Sequence, residues 1–327
     1  MPTVSIIVPC YNEEATIRLL LKSIYAQSYP HSEMEVILAD GMSTDQTRSE
    51  VAAFQQAHPD LLVKVVDNPK RIIPAALNSA LQAAQGEFII RLDGHSMPYP
   101  EYVERCVADL KEDQGQNVGG VWEIRPAGES WIARSIAAAA AHPFGVGDAL
   151  YRFTNRAKSV DTVPFGAFRR KLFEQVGNFD ESLLTNEDYE FNARIRQHGG
   201  VVWLDPAIRS VYFARSGLGA LAKQYWRYGF WKLRMLRRYP ETLRWRQALP
   251  PLFVLICLGL GLLSILWVTA RWMLVIILIL YFILLVLGSL PVAYRQKDPR
   301  LIVGVPLAIV TMHFCWGAGF LRSLIDK

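Results

Sequence analysis

Residues 88–98 read Phe-Ile-Ile-Arg-Leu-Asp-Gly-His-Ser-Met-Pro (FIIRLDGHSMP), and the fold is decided in this stretch. The apolar run 88–92 has the length and bulk of a buried strand. It ends abruptly in Asp93-Gly94-His95, and Pro98 turns the chain away. Open α/β sheets place ligands at the carboxyl ends of such strands. Asp93 and His95 offer donors for a divalent cation, Mn²⁺ or Mg²⁺, held against a diphosphate. The plainer reading makes Asp93 a turn residue and His95 a surface residue.

The segments before this strand repeat its logic. Residues 4–8 (VSIIV) form a continuous β-branched run, expected of a parallel strand covered on both faces. Pro9-Cys10-Tyr11-Asn12 ends it, and Asn12 with Glu13 and Glu14 predicts a helix from there to about Ala26. Residues 34–39 predict a second strand, ending in Asp40-Gly41. A helix to about Ala57, a strand at 62–66 and a helix from Pro74 to Ala84 follow. This β-α alternation predicts a parallel, doubly wound sheet. No GxGxxG is present, which argues against a dinucleotide site.

The middle of the chain predicts a helix over 100–113, a strand over 118–124 and a close-packed helix over 131–141, where five alanines run together. The chain is expected to turn over 163–168 before a helix at 171–176. Asn186-Glu187-Asp188 opens a helix that Gly199-Gly200 closes, and a strand follows at 201–204.

Charge is unevenly laid out. Residues 1–214 hold 20 Lys and Arg against 27 Asp and Glu, whereas 215–246 hold nine basic residues against Glu241 alone. The basic block directly precedes apolar sequence, so it reads as membrane-surface charge and not as a nucleic-acid patch. Residues 218–239 mix aromatics with cations, as an amphipathic interfacial helix does. Three uncharged segments, about 251–270, 272–294 and 301–321, have spanning length, with a tight hairpin expected at Ala270-Arg271-Trp272. The cations of the 295–300 linker place it on the side of the basic block, with the N-terminal part in the cytoplasm. The expected division is 1–214, 215–249 and 250–327. Four cysteines without CxxC spacing read as buried thiols of a reducing compartment, and no signal-peptide pattern opens the chain.

Four landmarks in order resemble family 2 glycosyltransferases, the inverting GT-A enzymes: SIIVPCYNEE (5–14), ADGMSTDQT (39–47), RLDGHS (91–96) and TNEDYEFNARIRQHG (185–199). The membrane-attached end resembles glycosyltransferases of bacterial exopolysaccharide assembly, succinoglycan-type enzymes among them. The resemblance implies a GT-A, Rossmann-like domain that takes a nucleotide sugar, with Pro9, Tyr11 and Glu13 on the donor. It also implies Asp40 on uracil, Lys70 or Arg71 on phosphate, and Asp93 on the metal. His95 stands where the family usually has a second Asp, which leaves the choice of metal open. Asp188 would be the general base, with Glu187 orienting the acceptor or capping the helix. Asp45 reads as a helix cap. Gln224-Tyr225-Trp226-Arg227-Tyr228 resembles QxxRW, with Gln224 and Arg227 for the diphosphate and Trp226 or Tyr228 for a sugar. Interface anchoring is the plainer role for these aromatics.

The expected activity is transfer of a hexose, from a UDP-sugar, to a polyprenyl-diphosphate-linked saccharide at a bacterial inner membrane, alongside other polysaccharide-assembly proteins. The alternatives are transfer to polyprenyl phosphate itself and a non-catalytic, nucleotide-sugar-binding scaffold.

Overall fold

The computed structural model describes residues 2–326. Its elements begin with β1 (Val4–Cys10), α1 (Ile17–Tyr25), β2 (Met34–Asp40), α2 (Thr47–Ala57), β3 (Leu62–Asp67), α3 (Ile73–Ala83), β4 (Phe88–Arg91) and β5 (Met97–Pro98). They continue with α4 (Tyr102–Lys111), β6 (Asn117–Pro126), α5 (Trp131–Ala140), α6 (Pro143–Val146), β7 (Lys158–Ser159), β8 (Ala167–Arg169), α7 (Lys171–Val176) and α8 (Glu187–Gln197). The last are β9 (Val202–Ala214), α9 (Leu218–Leu236), α10 (Trp245–Leu263), α11 (Val268–Gln296) and α12 (Leu301–Ile325). They divide into two compact units, residues 1–123 with 153–212, and residues 124–152 with 213–327.

The first unit is built on a mixed sheet of order β3-β2-β1-β4-β8-β6-β9-β5, with β7 on β9. The first four strands are parallel, as the β-α alternation predicts. The rest of the sheet is not: β8 runs antiparallel to β4 and to β6. β8 occupies part of the 163–168 stretch read from sequence as a turn, because three residues of strand are too few to show a period. Strands β1 and β2 are buried along their whole length, which is why both read as continuous apolar runs. Gly120 lets β6 approach β9, since a Cβ there would stand 1.8 Å from the Ile208 carbonyl oxygen.

Asn12 does not start α1. Its backbone is left-handed (φ 53°), its N–H donates to Ser43 Oγ (2.9 Å) and its Oδ1 accepts from the Thr44 N–H (2.9 Å). Glu13 N–H donates to Thr47 Oγ1 (2.8 Å) and Glu14 N–H to Asp45 Oδ2 (3.1 Å). The loop after β1 is thus fastened to the turn after β2, and the helix waits until Ile17.

In the second unit α9 packs along α12, backbone against backbone. A Cβ on Gly229 would lie 2.1 Å from the Trp316 carbonyl oxygen, and one on Gly319 would lie 2.3 Å from that of Trp226. Residues 124–152, expected with the N-terminal domain, fold here instead. The alanine-rich α5 lies on α12, where Gly304 makes room for Ser135. Four cations of the basic block are engaged inside the unit. Arg244 (3.3 Å) and Arg246 both pair with Asp148, Arg234 pairs with Asp326 (3.1 Å), and buried Lys232 donates to the Thr242 carbonyl (3.3 Å).

Three helices, α10, α11 and α12, are long and apolar enough to cross a membrane. The hairpin falls at 264–267 rather than at 270–272. The Ser264 hydroxyl turns back on the Gly261 carbonyl (2.7 Å), and Arg271, already in the first turn of α11, donates to the Ser264 carbonyl (3.1 Å). Helix α10 also starts earlier than 251 and runs through Pro250 and Pro251. Pro251 has no N–H for the Gln247 carbonyl, and the Trp316 indole of α12 donates to that oxygen instead (3.2 Å). Pro306 likewise frees the Ile302 carbonyl, which accepts from Ser289 Oγ of α11 (3.3 Å).

Candidate active site

The carboxyl ends of β1 to β4 bring the sequence landmarks into one region of the first unit. Cys10 pairs in register with Asp40, and Asp40 with Asp67. Leu92 N–H still donates to the Ile7 carbonyl (3.1 Å), so Asp93 emerges just past the last parallel bond of β4. Gly94 lies against this neighbourhood, as a Cβ there would meet Glu13 Cγ at 3.1 Å.

Asp93 is partly exposed, and its Oδ1 accepts from Arg91 Nη2 at 3.2 Å. The same Nη2 donates to Glu187 Oε1 at 2.8 Å. Both Arg91 and Glu187 are buried. One guanidinium therefore joins the end of β4 to the first residue of α8. Burial works against the Arg91 charge, but the carboxylates of Asp93, Glu187 and Asp188 outweigh it and raise its pKa. Glu187 is pushed up, first by burial and then by Asp188 and Asp93, with Arg91 opposing. Asp188 is partly buried, and its Oδ1 accepts the N–H of Tyr189 (2.7 Å) in the first turn of α8. Asn186, just before, is left-handed at φ 71°.

The other expected residues divide. Asp40 is buried and closes its own turn: it accepts from Ser43 N–H (3.1 Å), Ser43 Oγ and Arg48 Nε (2.5 Å). Its carboxylate is therefore already engaged, in the Asx-turn role. Asp45, read from sequence as a helix cap, stands one residue before the N-cap Gln46 and accepts from the N–H (3.0 Å) and hydroxyl (2.6 Å) of Thr47, the first residue of α2. Tyr11 is exposed, with the Arg71 guanidinium 5.7 Å from its ring centroid. Lys70 pairs with Glu181 (2.6 Å). The His95 Nδ1 meets Glu13 Oε1 at 3.1 Å. Pro9 lies within β1 opposite Ala39. Gln224, Trp226, Arg227 and Tyr228 lie on α9 in the second unit, where Gln224 Nε2 donates to Tyr228 Oη (3.0 Å). There Trp226 lines an apolar cavity of about 420 Å³ with residues of α10 and α12.

Among the described residues no three His, Cys, Asp or Glu side chains gather as a ready metal cage. Asp93 is a single hard oxygen donor, 28% exposed, and it fits a cation that takes its other ligands from a diphosphate and water.

Sequence reading passed over Arg91 and Arg48. The signal for Arg91 was present: a cation inside a run buried on both faces, two residues before an acid, and so on the same strand face as that acid. Arg48 carried no such signal, since only the folded turn brings it to both Asp40 and Asp67 (2.5 Å).

The chain matches the family model for glycosyl transferase family 2 over residues 5–177, which take in the parallel strands and the strand end that bears Asp93. The chain belongs to glycosyltransferase family 2. Family relatives extend over the membrane end as well. The chain is 31% identical over 323 residues, 98% of this chain and 94% of the relative, to the succinoglycan biosynthesis protein ExoA of Rhizobium meliloti (strain 1021). It is 26% identical over 332 residues to a dolichyl N-acetyl-alpha-D-glucosaminyl phosphate 3-beta-D-2,3-diacetamido-2,3-dideoxy-beta-D-glucuronosyltransferase of Methanococcus voltae, covering 99% of this chain and 98% of that one. Among solved structures, the mannosyltransferase PcManGT of Pyrobaculum calidifontis, in complex with GDP-Man and Mn²⁺, shares the fold. Its TM-score is 0.68 at 22% identity, over 100% of this chain and 88% of that chain. The fold is thus GT-A-like, and the chain is a glycosyltransferase with three candidate spans.

Proposed function

We propose that this glycosyltransferase moves a hexose from a UDP-sugar to a lipid-linked saccharide, with inversion, on the cytoplasmic side of a bacterial inner membrane. The observation that carries the reading is the grouping of Asp93 and the Glu187-Asp188 start of α8 around Arg91. It gives one site two carboxylates with different surroundings. Asp93, engaged by a cation and partly open, serves the donor diphosphate. Asp188, at the helix start, serves the acceptor.

In this mechanism Asp188 accepts the proton of an acceptor hydroxyl as that oxygen attacks the anomeric carbon, and the nucleoside diphosphate leaves from the opposite face. Asp93 would hold Mn²⁺ or Mg²⁺, which neutralises the leaving diphosphate. The exposed Tyr11 and Arg71 offer a ring and a cation to the nucleotide. Helices α10 to α12 would hold the chain in the bilayer where a lipid-linked acceptor resides. The Rhizobium relative, a succinoglycan biosynthesis protein, and the Methanococcus relative, which acts on a dolichyl-linked sugar phosphate, support a lipid-linked saccharide acceptor. The solved neighbour's GDP-Man and Mn²⁺ support a nucleotide sugar with a divalent cation.

The test uses the detergent-purified full chain, UDP-sugars and GDP-mannose, Mn²⁺ or EDTA, and membrane lipid extract. Metal-dependent, lipid-stimulated release of UDP from one donor is expected. Asp188→Asn should lower transfer by at least about 100-fold. Near-full activity of that variant would assign the acceptor to a phosphate, which needs no base.

A further inference from the structure

We propose that Arg91 is a positioning residue for sugar transfer: its buried guanidinium fixes Asp93, at the end of β4, to Glu187, the residue that opens the base-bearing helix. The inference rests on the reading above, in which Asp93 and Asp188 serve donor and acceptor. It concerns what sets their geometry.

Three observations carry it. First, of the two carboxylates that Arg91 holds, Asp93 is its near neighbour but Glu187 is 96 positions away from it, so nothing local fixes their separation. Arg91 Nη2 touches both, at 3.2 Å and 2.8 Å. Second, the arrangement is poor as a device for stability alone. Arg91 Nη1 is buried with no hydrogen-bond partner among the described residues, and a buried ion pair is weak evidence of stabilisation. Third, the segment against this cation holds unfavourable backbone. Arg91 N–H donates to the Gly166 carbonyl (2.9 Å), next to Phe165 at φ 63°. Left-handed conformations at large residues persist where surrounding structure over-determines them, and they gather at functional sites.

The guanidinium suits this task because it is a planar fork that reaches two acceptors. A lysine would keep the charge but present a point donor on a flexible stem. Small displacements of reacting groups lower rates steeply, about 100-fold for 1 Å.

The full-length protein in detergent, with Mn²⁺ and its turned-over UDP-sugar, gives the test. Thermal unfolding, kcat and donor KM are compared for Arg91→Lys, Glu187→Gln, Arg91→Met and the Arg91→Met/Glu187→Met pair. Arg91→Lys is expected to unfold near wild type yet lose at least about tenfold in kcat. Arg91→Met is expected to unfold earlier, because Glu187 is left buried and unpaired. The double variant should regain most of that stability while kcat stays about 100-fold down. Glu187→Gln, which still accepts from Arg91, should lose less kcat than the double variant. Activity that simply returns with stability in the double variant would overturn the proposal. So would wild-type kcat in Arg91→Lys, or a Glu187→Gln variant as inactive as the double. Asp188→Asn separates the two levels. If it is inactive while Arg91→Lys is fully active, the positioning role falls and the site reading stands. If it is fully active, the base assignment falls, and with it this role for Arg91.

Discussion

In the first unit, the groups taken out of water include formal charges, several of them set against an opposite charge. Glu35, with no exposed surface, accepts from Ser5 Oγ (2.7 Å), Gln85 N–H (2.6 Å) and Lys64 Nζ (2.9 Å). Arg91 lies between Asp93 and Glu187, and Glu190 is held by Arg194 (2.5 Å). In the spans of the second unit, the notable polar contacts belong to backbone carbonyls freed by proline. The Trp316 indole and the Ser289 hydroxyl meet the Gln247 and Ile302 carbonyls that Pro251 and Pro306 leave open. His313 joins Tyr281 Oη and the Phe144 carbonyl, both at 2.9 Å. The difference follows from what each environment tolerates. A protein core near water accepts a paired charge, and a pair can serve chemistry. An apolar span accepts few charges and must satisfy its backbone from within. One unit is therefore built to present charge and the other to hide dipoles.

That contrast can be broken at three points. Glu35→Ala should have the largest effect, a loss of about 3 kcal/mol, because it leaves Lys64, Ser5 and the Gln85 amide without their acceptor. Burial acts to raise the Glu35 pKa, but its hydrogen bonds and Lys64 outweigh this and lower it. Its contribution is therefore present above the ordinary Glu range and lost as pH falls through the depressed value. Urea unfolding of wild type and Glu35→Gln should converge in acid. Equal stability of the two at pH 7 would show that the buried charge is not a stabilising element.

Asp109→Asn should act in the opposite direction and by less, about 1 kcal/mol, since the group is part hydrated. Burial, with Asp205 and Glu112, lifts the Asp109 carboxyl to about 6, and its Oδ2 lacks a partner. A raised acid costs stability once pH passes its folded value. The Asn variant should therefore melt higher than wild type at pH 8 and equally near pH 4. A lower melting point at pH 8 would mean that this carboxylate is paired after all.

The smallest effect is expected in the spans. Trp316→Phe keeps the ring but leaves the Gln247 carbonyl without its donor, and should cost about 0.6 kcal/mol in detergent unfolding. A loss of 3 kcal/mol or more would place the spans alongside the charged core and erase the distinction.

Much of this molecule was legible in its sequence. Strands β1, β2 and β4 read as largely apolar runs because they are buried along their length, and parallel strands deliver the ends that bear Asp40 and Asp93 to one edge. The spans announced themselves by the absence of charge over spanning length. Tertiary structure alone decided the rest. The three residues of β8 pair only because β4 and β6 stand on either side. The five alanines were visible, but not the helix they would lie on. The hairpin settled at Ser264 because a hydroxyl and Arg271 satisfy the local carbonyls there, while hydropathy is blind to single hydrogen bonds. Asp40 and His95 took partners, Arg48 and Glu13, from turns that meet only after folding. Periodicity and composition record what a segment needs from its surroundings, burial or water. Which side chain answers a given carboxylate or carbonyl depends on segments far off in the chain, 96 residues for Arg91 and Glu187 and 169 for His313 and the Phe144 carbonyl, and no local pattern encodes such distances.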